Sequence, residues 1–162
     1  MIFDGTQKYC FWFDLQIDPC VQFFAPIVDH LRKKEHIVKI TYRKYSNIQS
    51  LLQMSDLSGK AIGSHGGKTK IGKFCATVYR AFKLALCATG KKFDLAVGFG
   101  SRPLALCCKF KRIANATILD YEYVSFAALK SCCRWIFLPD LIGFDFIKSI
   151  GLKSAVLTTS VM

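Results

Sequence analysis

Residues Ser64–Lys73 read SHGGKTKIGK and gather a histidine, two adjacent glycines and three lysines ahead of a long helical pattern. Gly66 and Gly67 permit positive φ and let a ligand approach the backbone closely. The following helix offers unpaired N–H groups and the positive end of its dipole. Lys68 and Lys70 add charge, and Thr69 is placed to cap. This chemistry suits a phosphate or a sugar, and a plain basic turn fits the same spacing equally well. The spacing of a P-loop is absent. His65 on its own reads first as a structural hydrogen-bonding residue and second as a catalyst.

Three other segments carry usable chemistry. Asp14 ends the apolar run YCFWFD, ahead of the sequence IDP, where Asp18 and Pro19 suit a helix start. GFGSRP (98–103) reads as strand, glycine turn and helix N-terminus. Gly98 and Gly100 lack the third glycine of a dinucleotide fingerprint, and Ser101 reads as a cap. LDYEY puts Asp120 and Glu122 at a strand end, where paired carboxylates orient hydroxyls, act as acid and base, or simply begin a helix in solvent.

Elements must bring these segments together. Apolar strand patterns fall at 9–14, 37–41, 60–64, 93–100, 116–120 and 134–140, with SAVLTT as a last strand. Helical patterns alternate with them: from Pro19 to RKKEH, over 47–54, after Thr69, from Pro103, after Asp120 and over 141–151. In the helix after Thr69, Ile71, Phe74, Cys75, Val78, Phe82 and Ala85 recur as an inward stripe. Lys70, Lys73, Arg80 and Lys83 then fall on an outward, solvated face. The alternation predicts an α/β fold, a doubly wound parallel sheet covered on both faces. In such a sheet ligands bind beyond the carboxyl ends of strands, which is where all four segments fall.

The 162 residues suit one domain, 1–162, with no internal repeat or linker. Hydrophobic residues at 52% against charged residues at 21% exclude a disordered chain. No apolar run reaches the roughly 18 residues of a membrane span, and the N-terminus does not read as a signal peptide, so the expected location is cytoplasmic. None of the eight cysteines forms a C-x-x-C pair, so reduced core thiols are expected, not a zinc site or a disulfide framework. A net charge of +12 fits nucleic acid, an anionic membrane surface or a phosphorylated small molecule. The absence of any RNP, helix-turn-helix or zinc-finger pattern ranks nucleic acid last.

The segments WFDLQIDPCVQFFAPIVDHLRKKEHIVKIT, GSHGGKTKIGK, DLAVGFGS and DYEY, in that order, resemble domain of unknown function family 354. Its members are similar to UDP-N-acetylglucosamine 2-epimerases and GT-B glycosyltransferases. The resemblance spans about residues 10–151. It implies the N-terminal, acceptor-side Rossmann-like domain of a two-domain protein, with the C-terminal nucleotide-binding domain absent from this sequence. The chain is then a fragment, half of a split enzyme, or a non-catalytic remnant that binds a sugar, phosphate or partner. The implied cleft wall comprises Asp14, His65, Gly66, Gly67, Lys68, Gly100, Ser101, Asp120 and Glu122. No metal or cofactor is implied; a nucleotide sugar enters as substrate, and a sugar or sugar phosphate as ligand. The implied partner is a complementary nucleotide-binding domain or chain, and peripheral membrane contact stays open. The family pattern has histidine where this chain has Cys20, which removes an imidazole base from that position. Alone, the chain is expected to be inactive and to expose an apolar docking face. Gly67→Val is expected to cripple ligand binding, and Lys73→Ala to leave it nearly unchanged.

Overall fold

The computed structural model describes residues 7–64, 69–120, 126–139 and 156–159. Seven strands form one sheet: β1 (Cys10–Leu15), β2 (Ile37–Lys44), β3 (Lys60–Ser64), β4 (Leu95–Phe99), β5 (Asn115–Ile118), β6 (Trp135–Pro139) and β7 (Val156–Thr159). Their order is β3-β2-β1-β4-β5-β6-β7, and every pairing is parallel. The helices are α1 (Pro19–Lys33), α2 (Ile48–Met54), α3 (Lys70–Ala88), α4 (Arg102–Lys111) and α5 (Phe126–Cys132). This is the doubly wound, Rossmann-like sheet the alternation predicts. The chain leaves β1 toward β2 on one side and returns to β4 on the other, so the topological switch point lies between β1 and β4.

The side-chain period of β1 sorts the two faces. Phe11, Phe13 and Leu15 pack with Val21, Phe24 and Val28 of α1 and Ile48 and Leu52 of α2. Trp12 points the other way and packs with Leu84 and Ala88 of α3 and with Leu104, Cys107 and Cys108 of α4. Asp14, two residues on from Trp12, therefore faces α3. On the α1 side, Phe11, Leu95, Val97, Ala116, Ile118 and Phe137 floor an apolar groove of about 610 Å³.

Two sequence expectations need correction. Asp18 stands at the N-cap of α1 but does not cap it; its carboxylate accepts from Ser46 Oγ at 2.7 Å and from the Asn47 backbone N–H at 3.2 Å. The larger correction is the rotation of α3. Ile71, Phe74, Cys75, Val78 and Phe82 lie outward, exposed, and only Ala85 of that stripe packs half-buried against the core. The inward face carries Arg80, Ala81, Leu84 and Ala88. Arg80 is 3% exposed, not solvated. The helix at 141–151 lies outside the described residues.

Candidate functional site

Asp14 is completely buried at the carboxyl end of β1, and four hydrogen bonds saturate its two oxygens. Arg80 reaches down from α3 and binds it through both ends of its guanidinium, Nη1 donating to Oδ2 at 2.8 Å and Nη2 to Oδ1 at 2.7 Å. Arg80 Nε donates to the Ile62 carbonyl at 2.8 Å. Thr41 Oγ1 of β2 donates to Oδ1 at 2.7 Å and accepts from Trp12 Nε1 at 2.9 Å. Ser101 Oγ donates to Oδ2 at 2.6 Å while accepting the Leu104 N–H at 3.3 Å, so it caps α4 as expected and also ties α4 to β1. A buried charge is tolerable only with this degree of pairing. The network ties β1, β2, β3, α3 and the start of α4 together at the switch point.

Two glycines make room for it. Gly63 has φ +74°, and a Cβ there would meet Arg80 Cγ and Cδ at 3.1 Å. A Cβ on Gly98 would meet Ser101 Cβ at 2.9 Å and Leu104 Cδ2 at 3.1 Å. Gly98 thus lets α4 start close enough to β4 for Ser101 to reach Asp14.

Above this network opens a cavity of about 330 Å³ at the carboxyl ends of the strands. Its wall includes Gln16 and Ile17 after β1, Arg43 of β2, Ser64 of β3, Lys73, Ala76 and Thr77 of α3, Gly100, Arg102 of α4, and Asp120 after β5. Arg43 Nη2 donates to the Gln16 carbonyl at 3.0 Å, whereas Arg43 Nε and Gln16 Nε2 are buried donors without a partner. Burial, with Arg80 nearby, pulls the Arg43 pKa down from the ordinary guanidinium value. An anion in the cavity would reverse both effects, because it supplies an acceptor and a compensating charge.

Of the nine residues expected on the cleft wall, Gly100 and Asp120 line this cavity. Asp14 and Ser101 are buried beneath it. His65, Gly66, Gly67, Lys68 and Glu122 lie outside the described residues. Lys73 and Arg80, assigned from the sequence to an outward face, both border the cavity, Lys73 from the exposed first turn of α3. Sequence reasoning missed Gln16, Arg43 and Arg102. Their signal was position alone: each follows or ends an apolar strand run, or begins the next helix. Cys20 is buried in the first turn of α1, and burial raises its pKa, so the thiol holds its proton.

The fold is shared with the N-terminal halves of GT-B-type proteins. The crystal structure of UDP-GlcNAc 2-epimerase from Neisseria meningitidis bound to UDP-GlcNAc matches with a TM-score of 0.72 at 13% identity, covering 93% of this chain and 46% of that one. MurG of Acinetobacter baumannii matches with a TM-score of 0.65 at 14% identity, covering 82% of this chain and 41% of that one. The chain thus spans less than half the length of either structure. No curated protein sequence matches it. The family described as protein of unknown function (DUF354) matches residues 9–156, through both the saturated aspartate and the cationic cavity above it, and the chain belongs to that family.

Proposed function

We propose that the chain forms the acceptor-side wall of a sugar-binding cleft in a GT-B-like glycosyltransferase or sugar-nucleotide 2-epimerase-like protein. A second Rossmann-like unit, in the same polypeptide or another, supplies the facing wall and the nucleotide contacts. The observation that carries this reading is the cavity at the switch point, with Arg43, Lys73 and Arg102 around it. Its volume lies at the lower end of the roughly 300–1,000 Å³ of ligand pockets, which suits one sugar or sugar phosphate. Its cations and unpaired donors suit an anionic group on that ligand.

A second reading, a binding remnant without turnover, is favoured by the state of Asp14. Both its oxygens are already saturated, so it cannot take a proton from a substrate without dismantling the network. Among the described residues, Asp120 is then the carboxylate left on the cavity wall. On either reading the chain alone binds without turning over.

Calorimetric titration with N-acetylglucosamine 1-phosphate tests the site. Arg43→Ala and Arg102→Ala should each weaken binding about ten-fold, as expected for removing one charge-assisted contact. Lys39→Ala, exposed on β2 and absent from the cavity wall, should not. Equal affinity in all variants would place the ligand elsewhere. Turnover of a nucleotide sugar by the monomeric chain would overturn the half-cleft reading.

A further inference from the structure

The outward face of α3 is an apolar surface that the fold does not use. Ile71 is 78% exposed, Phe74 69%, Val78 47% and Phe82 61%. Tyr79 and Leu86 widen the stripe, and Phe110 of α4 is 81% exposed. At about 1.5 Å per residue the stripe from Ile71 to Leu86 runs roughly 22 Å. Contiguous apolar surface of this kind marks a place of contact.

The charges around it select the partner. Between Asp56 and Asp120 the sequence holds one carboxylate, Asp94, against nine lysines and three arginines, of which Arg80 is buried and Lys73 and Arg102 border the cavity. That carboxylate accepts from the Cys10 backbone N–H at 2.8 Å, at the opposite end of the sheet from the cavity. Neither α3 nor α4 contains an acidic residue. Lys83 Nζ lies 4.6 Å from the centroid of the Tyr79 ring, at the margin of the stripe. Lys109 and Arg112 flank the exposed end of α4, and Lys111 Nζ donates to Thr89 Oγ1 at 3.0 Å, tying that end to the end of α3.

We propose that this α3–α4 face docks on an anionic lipid surface, with Ile71, Phe74, Val78 and Phe82 entering the headgroup boundary and the surrounding lysines meeting lipid phosphates. An apolar face with basic margins is the recognised form of an interfacial helix. Tyr79 and Lys83 fit the margin, where one end of a side chain is dry and the other wet. No described helix is long and apolar enough to cross the bilayer, so the contact is peripheral. Two copies set face to face would oppose like charges with no carboxylate between them, which disfavours a second copy. A domain closing over the strand ends would meet the start of α3, whereas the stripe continues to Leu86 down the flank of the sheet. The inference is independent of the proposed ligand.

Vesicle sedimentation with the full chain tests it. Vesicles of phosphatidylcholine with phosphatidylglycerol should capture the protein, and vesicles of phosphatidylcholine alone should capture much less. Phe74→Ser and Phe82→Ser should each weaken capture by roughly ten-fold. Lys83→Glu with Lys109→Glu should weaken it too, and added salt should do the same to the parent. All these side chains are exposed, and thermal unfolding checks that each variant folds. No capture by the parent, or equal capture by both vesicle types, overturns the proposal. So does a dimer in sedimentation equilibrium that Phe74→Ser dissolves while vesicles stay bare, which would assign the stripe to a second copy.

Discussion

Replacing Arg80 with methionine tests whether the ion pair at the switch point holds the fold together. Methionine matches most of the arginine stem and leaves the Leu84 and Ala88 packing in place. It removes two charge-assisted bonds to Asp14 and one to the Ile62 carbonyl. Asp14 is fully buried, so water cannot take over. Stranding one partner of a buried pair costs about 3–5 kcal/mol, a large part of the roughly 5–15 kcal/mol that stabilises a domain. At this chain length each kcal/mol shifts the melting temperature by about 2–4 °C, so a fall of roughly 10 °C is expected. Urea unfolding followed by tryptophan fluorescence reports it directly. Trp12 is buried, stacks on Phe93 with centroids 4.8 Å apart, and donates into the same network. The double variant Asp14→Leu with Arg80→Met removes both charges and should recover roughly half of the loss. If Arg80→Met costs no more than Lys39→Met, or the double variant is worse than the single, the pair is not the anchor described here.

Two further outcomes follow from the same geometry. Gly98→Val should destabilise the chain by about 2 kcal/mol or more, since its Cβ would stand 2.9 Å from that of Ser101; a melting temperature equal to the parent's would count against the close approach of α4. Burial, with Cys132 adjacent, pushes the Cys133 thiol up to about 12. The unfolded thiol ionises near 9 and the folded one does not, so the unfolded state binds fewer protons and stability falls as pH rises from about 9 to 12. In Cys133→Ala the urea midpoint should fall less over that range, and identical pH profiles would contradict it.

The sheet was legible because parallel strands buried on both faces leave long apolar runs, and nothing else in this sequence competes with them. Ser101 as a cap was legible because a hydroxyl before proline at a helix start has few other uses. The rotation of α3 was not legible, for a definite reason. Periodicity identifies an apolar face and assumes that it faces the core. Here the core face is mostly alanine, leucine and one arginine, and that arginine is acceptable only because Asp14, 66 residues earlier, waits under it. No local pattern reveals such a pairing. The glycine at 63 was its faint trace, since a side chain there would collide with Arg80. Asp14, expected on the cleft wall, is buried beneath the cavity with its oxygens paired inside the fold.

The switch point therefore has two layers with different duties. The lower layer, Asp14, Arg80, Thr41 and Ser101, is buried and fully paired. It ties β1, β2, α3 and α4 into one floor at the switch point between β1 and β4. The upper layer, Arg43, Lys73, Arg102 and Asp120, faces the cavity and keeps donors to spare. Sites hold their geometry when the groups that touch a ligand stand on groups whose own positions are locked. Arg43 extends from the strand next to Asp14, and Arg102 directly follows Ser101, so both cations are aimed by neighbours that the floor fixes. The layers separate by measurement. Floor substitutions should lower stability first and binding only as a consequence. Wall substitutions should lower binding at unchanged stability. Floor and wall residues thus alternate along the chain, Thr41 with Arg43 and Ser101 with Arg102, and burial tells the two layers apart.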